Sequence, residues 1–215
     1  MPSRFTSCFL PCALALVVAK TITSCSDDNE PYPSMITEMA MSSSDGNSIF
    51  SSFTTDDGRT YQMTNPLKGP TPNVRWRFIC GYVKEDEQQA RVYTFIKVPL
   101  LSDFGDQDNP RHDPTGLASI WKSGGYINLH LLPMTRGGKQ AWGFLRDSAH
   151  VNGAGGTNYF LSLSHYQLDD PKAYTEDLFV SLDLDSVAAS RTASDSLIFT
   201  LRTFKGSRSW TFNAQ

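Results

Sequence analysis

From residue 35 onward the sequence changes polarity almost residue by residue, and no stretch sustains the spacing of an amphipathic helix. That pattern confines the chain to strands, because successive strand side chains point to opposite faces. The run over 74–83 is the clearest. Trp76, Phe78, Cys80 and Tyr82 fall on one face, with Arg75, Arg77, Ile79 and Gly81 on the other. The aromatic face is expected to be core, with Cys80 as a buried small hydrophobe and Arg75 and Arg77 in solvent.

Five such runs, at 35–41, 48–54, 60–64, 74–83 and 90–100, suit a small OB-type barrel over residues 35–101. Asp56-Asp57-Gly58 separates the second run from the third. It predicts a hairpin with a type I′ turn, which needs positive φ. On the fifth run Val92, Thr94, Ile96 and Val98 are expected to share one side. Residues 102–116, rich in Asp, Asn and Pro, read as a linker. Seven further runs, at 117–122, 126–132, 139–146, 159–166, 178–184, 196–204 and 207–212, predict an antiparallel β-sandwich over 117–215. Only 185–189 offers a helical turn. The fold class is therefore all-β, a small OB-like barrel followed by a sandwich.

The first residues are an address. Arg4 precedes an apolar run at 5–19, which fits a secretory segment and falls short of the roughly 20 residues of a spanning helix. Ile22-Thr23-Ser24-Cys25 resembles the lipobox of bacterial lipoproteins, with Ile22 in place of the usual Leu and Lys20 unusually close. The resemblance implies a signal peptide over 1–24, lipid on Cys25 and a tether over 25–34. The following Ser26-Asp27-Asp28-Asn29-Glu30 resembles the acidic signal that exports lipoproteins of the Bacteroidota. The expected location is the outer membrane, lipid-anchored and facing the exterior; a plain solvated tether is the alternative.

Processing changes the arithmetic. Of the 4 cysteines, Cys8 and Cys12 would leave with the leader and Cys25 would carry lipid, so Cys80 alone remains as a thiol. An intramolecular disulfide and a cysteine-built zinc site are thereby excluded from the mature chain. Loss of Arg4 and Lys20 from 19 basic residues leaves 17 against 22 acidic ones. That balance argues against a nucleic-acid partner, which needs cations to neutralise phosphates, although Arg75, Trp76 and Arg77 on an OB barrel raise the question.

Catalytic patterns are sparse. No G-x-S-x-G, H-E-x-x-H or Walker sequence occurs. Gly153, Gly155 and Gly156 read as a hairpin loop, since no helix pattern follows them. Ser164-His165 with Asp169 and Asp170 holds triad residue types, but strand neighbours point apart. Asp103, Asp106, Asp108 and Asp113 are weak calcium candidates without the glycine and bidentate Glu of a calcium loop. His112, His130, His150 and His165 lack ligand spacing, though His130 and His165 share a strand setting. Trp121, Tyr126, Trp142 and Tyr166 could stack on sugar rings, with core positions as the alternative. No cofactor is expected.

CSDDNE after a lipobox, then DDGRTYQMTN, IWKSGGYINLHLL, DLFVSLDLDSV and SLIFTLRTFKGSRSWTFN, resemble the NigD-like lipoproteins of Bacteroidota. The resemblance covers nearly all of the mature chain and implies an OB domain followed by a β-sandwich. It supplies no catalytic or ligand residues. It implies a non-enzymatic surface lipoprotein with a binding role, in the family's case bacteriocin immunity. A glycan-binding accessory lipoprotein of a polysaccharide uptake system and a structural envelope lipoprotein remain open beside it. The partner is accordingly an unknown protein or glycan.

Overall fold

A computed structural model describes residues 34–104 and 110–214. The leader, Cys25 and the acidic segment Ser26, Asp27, Asp28, Asn29 and Glu30 lie outside the described residues, as do Asp106 and Asp108. Among the described residues, no helix is long and apolar enough to cross a membrane.

Five strands close into a barrel: β1 (Ile36–Ser43), β2 (Ile49–Thr55), β3 (Thr60–Lys68), β4 (Arg75–Lys84) and β5 (Gln89–Val98), in the order β1-β2-β3-β5-β4. The lumen is aromatic. Phe53 lies 4.9 Å from Tyr82, and Phe78 stacks at 3.7 Å on Phe95. Cys80 is fully buried among them, as its place on the aromatic face predicts.

Two details depart from simple alternation. Between β4 and β5, Gly81 pairs with Thr94 but Tyr82 pairs with Val92, so Tyr93 is an extra residue. Such a bulge reverses the facing of everything beyond it. Val92 stays in the lumen, whereas Ile96 turns outward opposite Ile79 and is 56% exposed. Val92 therefore does not share a side with Thr94, Ile96 and Val98. The turn at Asp56-Asp57-Gly58 is also not type I′. Only Gly58 has positive φ (88°), with Gly58 N–H donating to the Thr55 carbonyl at 2.9 Å. This is a longer hairpin loop closed by one left-handed glycine.

The C-terminal body has β6 (Ser102–Asp103), β7 (Gly116–Ser123), β8 (Tyr126–Leu132), β9 (Met134–Thr135), β10 (Ala141–Val151), β11 (Thr157–Tyr166), β12 (Tyr174–Thr175), β13 (Leu178–Asp183), β14 (Ser196–Thr203) and β15 (Gly206–Asn213). A sheet ordered β15-β14-β11-β10-β6 faces one ordered β13-β8-β7. Alternation supplies the core between them. Ile127, Leu129 and Leu131 of β8 and Val180 and Leu182 of β13 meet Phe144, Leu161, Leu163, Leu197, Phe199 and Leu201 of the other sheet. Fully burying each such side chain contributes about 1.5–3 kcal/mol. The larger sheet is mixed: β11 and β14 run parallel, as do β10 and β6. A single 3₁₀ turn at Leu184–Ser186 occupies the one place where a helical turn is expected.

The described part of 102–116 is tied into this body. Ser102–Asp103 pairs with β10, and the Asp113 N–H donates to the His165 carbonyl at 3.0 Å. The backbone leaving the barrel is likewise fixed. Leu101 N–H donates to the Ser181 carbonyl at 2.8 Å, and Ser181 N–H donates to Pro99 at 3.0 Å.

Candidate functional site

The barrel meets the sandwich through the face of β4 that alternation assigns to solvent. Arg75 is exposed, but Arg77 is only 1% exposed. A polar strand face looks the same in sequence whether water or a second body covers it. Opposite Arg77 lies the outer face of the β13-β8-β7 sheet, the side whose residues alternate with the sandwich core. Tyr126, Asn128 and Ser181 sit there, and Asn128 and Ser181 are fully buried.

Arg77 joins the two bodies. Its Nη1 and Nη2 donate to the two carboxylate oxygens of Asp56 at 2.8 and 2.6 Å. Nη2 also donates to Asn128 Oδ1 at 2.8 Å and Nε to Ser181 Oγ at 2.9 Å. The guanidinium lies 3.8 Å over the Tyr126 ring. Ser123 Oγ donates to Asp56 and accepts from Asn128 Nδ2 at 2.8 Å, while Ser181 Oγ donates to Asn128 Oδ1 at 2.7 Å. Every hydroxyl in this ring thus gives one proton and receives another. A buried charge needs a partner and full hydrogen bonding to be tolerated, and Arg77 has both.

Two glycines let the chain approach this closely. Gly58 closes the loop that carries Asp56. Gly124, at φ 54°, lets the β7–β8 hairpin lie against that loop, where a Cβ would stand 2.8 Å from the Asp56 carbonyl oxygen.

The junction leaves two openings. One, about 290 Å³, is lined mainly by polar residues including Ser43, Thr54, Asp56, Arg75 and Tyr126. The other, about 430 Å³, is walled by Met39 and Ile79 from the barrel and Trp121 and Phe179 from the sandwich, with Thr37, Glu38, Asp56 and Ser123 completing it. Phe179 is held by His130, stacked at 4.2 Å, whose Nε2 meets Asp177 at 2.5 Å. Glu38 Oε1 accepts from Tyr82 at 2.5 Å. Burial and that carboxylate together push the Tyr82 phenol above its ordinary range. Cys80, nearby, is pushed up to about 12 by burial, with Glu38 adding to it, so the thiol is a poor nucleophile.

The residues singled out for chemistry are dispersed. Ser164 Oγ donates to the Arg111 carbonyl, not to a base. His165 lies flat on Trp142 at 3.8 Å, between the Asp113 carbonyl and Gln140 Oε1. Burial lowers its affinity for a proton. Gln140 Nε2 links it to Asp170 at 2.7 Å, and Asp170 also accepts from Thr135 Oγ1 and the N–H groups of Arg136 and Gly138. Those bonds, led by Thr135, lower the Asp170 carboxyl to about 2. His130 and His165 have separate partners. Asp103 is paired with Arg146 at 2.8 Å, and Asp113 Oδ2 accepts from Gln167 N–H. Among the described residues, no three His, Cys, Asp or Glu side chains are placed to hold a metal. Gly153, Gly155 and Gly156 form the β10–β11 hairpin loop, with Asn152 Oδ1 accepting from two of its N–H groups. Of the four sugar-stacking candidates, Trp142 is covered by His165, Tyr126 by Arg77, and Tyr166 packs edge-on against Phe104. Trp121 is the one that reaches the apolar cleft.

A family model described as "NigD-like C-terminal beta sandwich domain" matches residues 97–214. The chain belongs to the NigD-like family. No curated protein matches it. Among solved structures, this NigD-like chain is similar to a NigD-like immunity protein from Bacteroides caccae, at 20% identity and TM-score 0.62, over 85% of this chain and 93% of the other. A protein from Parabacteroides distasonis, provisionally described as toxin-related, aligns at 18% identity and TM-score 0.65, over 85% and 95% of the two chains. A provisionally described lipoprotein from Bacteroides fragilis aligns at 10% and 0.58, over 85% and 99%. At these identities the likeness is one of fold.

Proposed function

We propose that this NigD-like chain is a non-enzymatic lipoprotein, anchored in the outer membrane through lipid on Cys25 and displayed outward by its acidic tether, that binds a protein partner in the manner of an immunity factor. The observation that carries the reading is the apolar cleft between barrel and sandwich, held in shape by the buried Arg77 ring. Partner-binding sites characteristically present an aromatic-lined pocket for an anchoring side chain, with polar groups at its rim. The immunity description of the Bacteroides caccae structure agrees with this, and the lipoprotein description of the Bacteroides fragilis structure agrees with the anchor.

Deletion of the gene is expected to raise sensitivity to a competitor's toxin, with complementation requiring Cys25. An unchanged killing spectrum across several toxin-producing strains overturns the immunity role. Proteinase treatment of intact cells checks the display, and protection until lysis would place the protein on the inner face. Trp121 favours a second reading, glycan capture for a polysaccharide uptake system, because it reaches the cleft with an available ring. Specific hits on a glycan array distinguish that reading from the first.

A further inference from the structure

Exposed apolar side chains gather at one end of the sandwich. Leu168 is 56% exposed, Tyr174 53% and Phe204 48%. They belong to a surface formed by three segments, 136–139, 168–174 and 203–206, which lie side by side. Arg136, Lys139, Leu168 and Pro171 wall one shallow concavity. A Cβ on Gly137 would stand 3.6 Å from the Tyr174 hydroxyl, and Lys172 Nζ lies 5.7 Å over the Phe204 ring. Leu168 is the anomaly among them. Its φ is 51°, a region that bulky side chains rarely adopt. Strain that holds a leucine in water serves no packing, and such outliers collect where a protein meets a ligand.

Charge also separates this end from the rest of the chain. The three segments hold Arg136, Lys139, Lys172 and Lys205, all exposed, against Asp169 and Asp170. Asp170 is buried and turned inward onto Thr135, Gln140 and two backbone N–H groups. The surface is therefore positive on a chain whose overall balance is −3. Glu176 and the barrel tip Glu85-Asp86-Glu87 lie outside it.

The chain enters the barrel from this same side. The polar opening places Ser43 of β1 near Tyr126 at the start of β8. Arg77, paired with Met41, meets Asn128. The apolar cleft then brings Thr37 near Phe179, the partner of His130. β1 thus runs opposite to β8, and its first residues lie toward the end of β8 that leads into the 136–139 segment. Cys25 precedes Ser34 by nine residues, a reach of at most about 32 Å.

We propose that this end of the sandwich rests on the anionic surface of the membrane that holds the lipid on Cys25. Leu168, Tyr174 and Phe204 enter the headgroup level, and the four cations face lipid phosphates. Apolar groups on separate loop tips with cations between them suit a broad, soft, charged surface, where a tyrosine ring also sits well. The proposal rests on the anchoring reading above and adds an orientation to it.

The test uses the full lipidated chain in nanodiscs of phosphatidylcholine alone or mixed with phosphatidylglycerol. An environment-sensitive dye is attached at Ala173→Cys, an exposed position, since Cys80 is buried. Quenching by lipids brominated near the headgroup reads the docked-to-free ratio. That ratio is expected to be at least about fivefold higher with phosphatidylglycerol and to fall as salt is raised. Lys139→Gln and Lys172→Gln should each lower it about fivefold. Leu168→Gly should lower it while leaving Tm unchanged or higher, because glycine accepts that φ. A dye at Val151→Cys, 81% exposed at the opposite end of the sandwich, should stay unquenched. No quenching at Ala173→Cys, equal quenching in the two compositions, or equal quenching at the two positions overturns the proposal. So does a Leu168→Gly chain that docks as well as the native one. Lipid on Cys25 is read separately by mass spectrometry. A lipidated chain without quenching refutes the docking alone. An unlipidated chain whose Ala173→Cys dye is still quenched by added phosphatidylglycerol vesicles refutes the anchor alone.

Discussion

Asp56 and Asp170 are two saturated carboxylates that hold the molecule in different ways. Asp56 sits on a barrel loop and is bound by a buried guanidinium and a hydroxyl from the sandwich. Asp170 sits on a sandwich loop and is bound by neutral donors: a hydroxyl, an amide and two backbone N–H groups. The first arrangement cancels a whole charge across two bodies. The second spreads it over four dipoles, all of them on the 135–140 segment. Removing one partner should therefore be severe at the junction and graded in the loop, because an isolated buried ion has no alternative donor while a multiply solvated carboxylate does.

Arg77→Met is the sharpest way to break that contrast. It leaves Asp56, Asn128 and Ser181 facing an apolar side chain, and is expected to cost about 3–5 kcal/mol in urea unfolding followed by tryptophan fluorescence. Adding Asp56→Asn to Arg77→Met should recover a large part of the loss, because the orphaned charge is gone. A loss under about 1 kcal/mol for the single variant would mean that water replaces the guanidinium at the junction, and that the ring is not what joins barrel to sandwich.

The strands were legible because alternation, turn residues and short spacing all agree, from the barrel hairpins to the β14–β15 pair. The family resemblance was legible for the same reason, and the segments that carry it contain Asp56, Ser123, Asn128 and Ser181. Their meeting was not legible. Alternation divides Phe78 and Cys80 from Arg77 and Ile79, but it cannot tell whether the second face meets water or another sheet. Asn128 and Ser181 offered one signal: small polar residues at the centre of strands whose other face is wholly aliphatic. The bulge at Tyr93 was hidden as well, since Val92 to Val98 alternates without interruption and the slip exists only in pairing with β4. The cleft depends on the docking, because Ile79 faces it only as part of the docked wall.

Gly124 and Gly58 sharpen the comparison at a smaller scale, since both serve the Asp56 side. Both have positive φ, 54° and 88°, but a Cβ on Gly58 meets nothing within 4 Å, whereas one on Gly124 meets the Asp56 carbonyl oxygen at 2.8 Å. Gly58→Ala should show backbone strain alone, about 1 kcal/mol. Gly124→Ala should add the cost of moving the β7–β8 hairpin off the loop, for a total of about 2–3 kcal/mol. Equal losses in the two variants would show that the hairpin yields freely, and that the junction is looser than the Arg77 ring implies.

The Asp170 loop is the graded counterpart, and pH resolves it. Its carboxyl is lowered from 3.8 to about 2 in the fold, mainly by Thr135. Between those values the unfolded chain binds the proton that the folded chain refuses. The stability due to this group is therefore complete above about pH 4 and disappears as pH falls toward 2. His165, in the same network through Gln140, is lowered by burial. It too binds its proton better when unfolded, so its contribution begins to fade as pH falls below about 6.5, well before that of Asp170. Asp170→Asn should thus be less stable than the native chain at pH 7, and the difference should hold to about pH 4 and narrow only below it. A difference that narrows already between about pH 6.5 and 4 would show that removing the carboxylate also changes how His165 titrates. The two residues would then respond as one unit, as the Arg77 ring is expected to do.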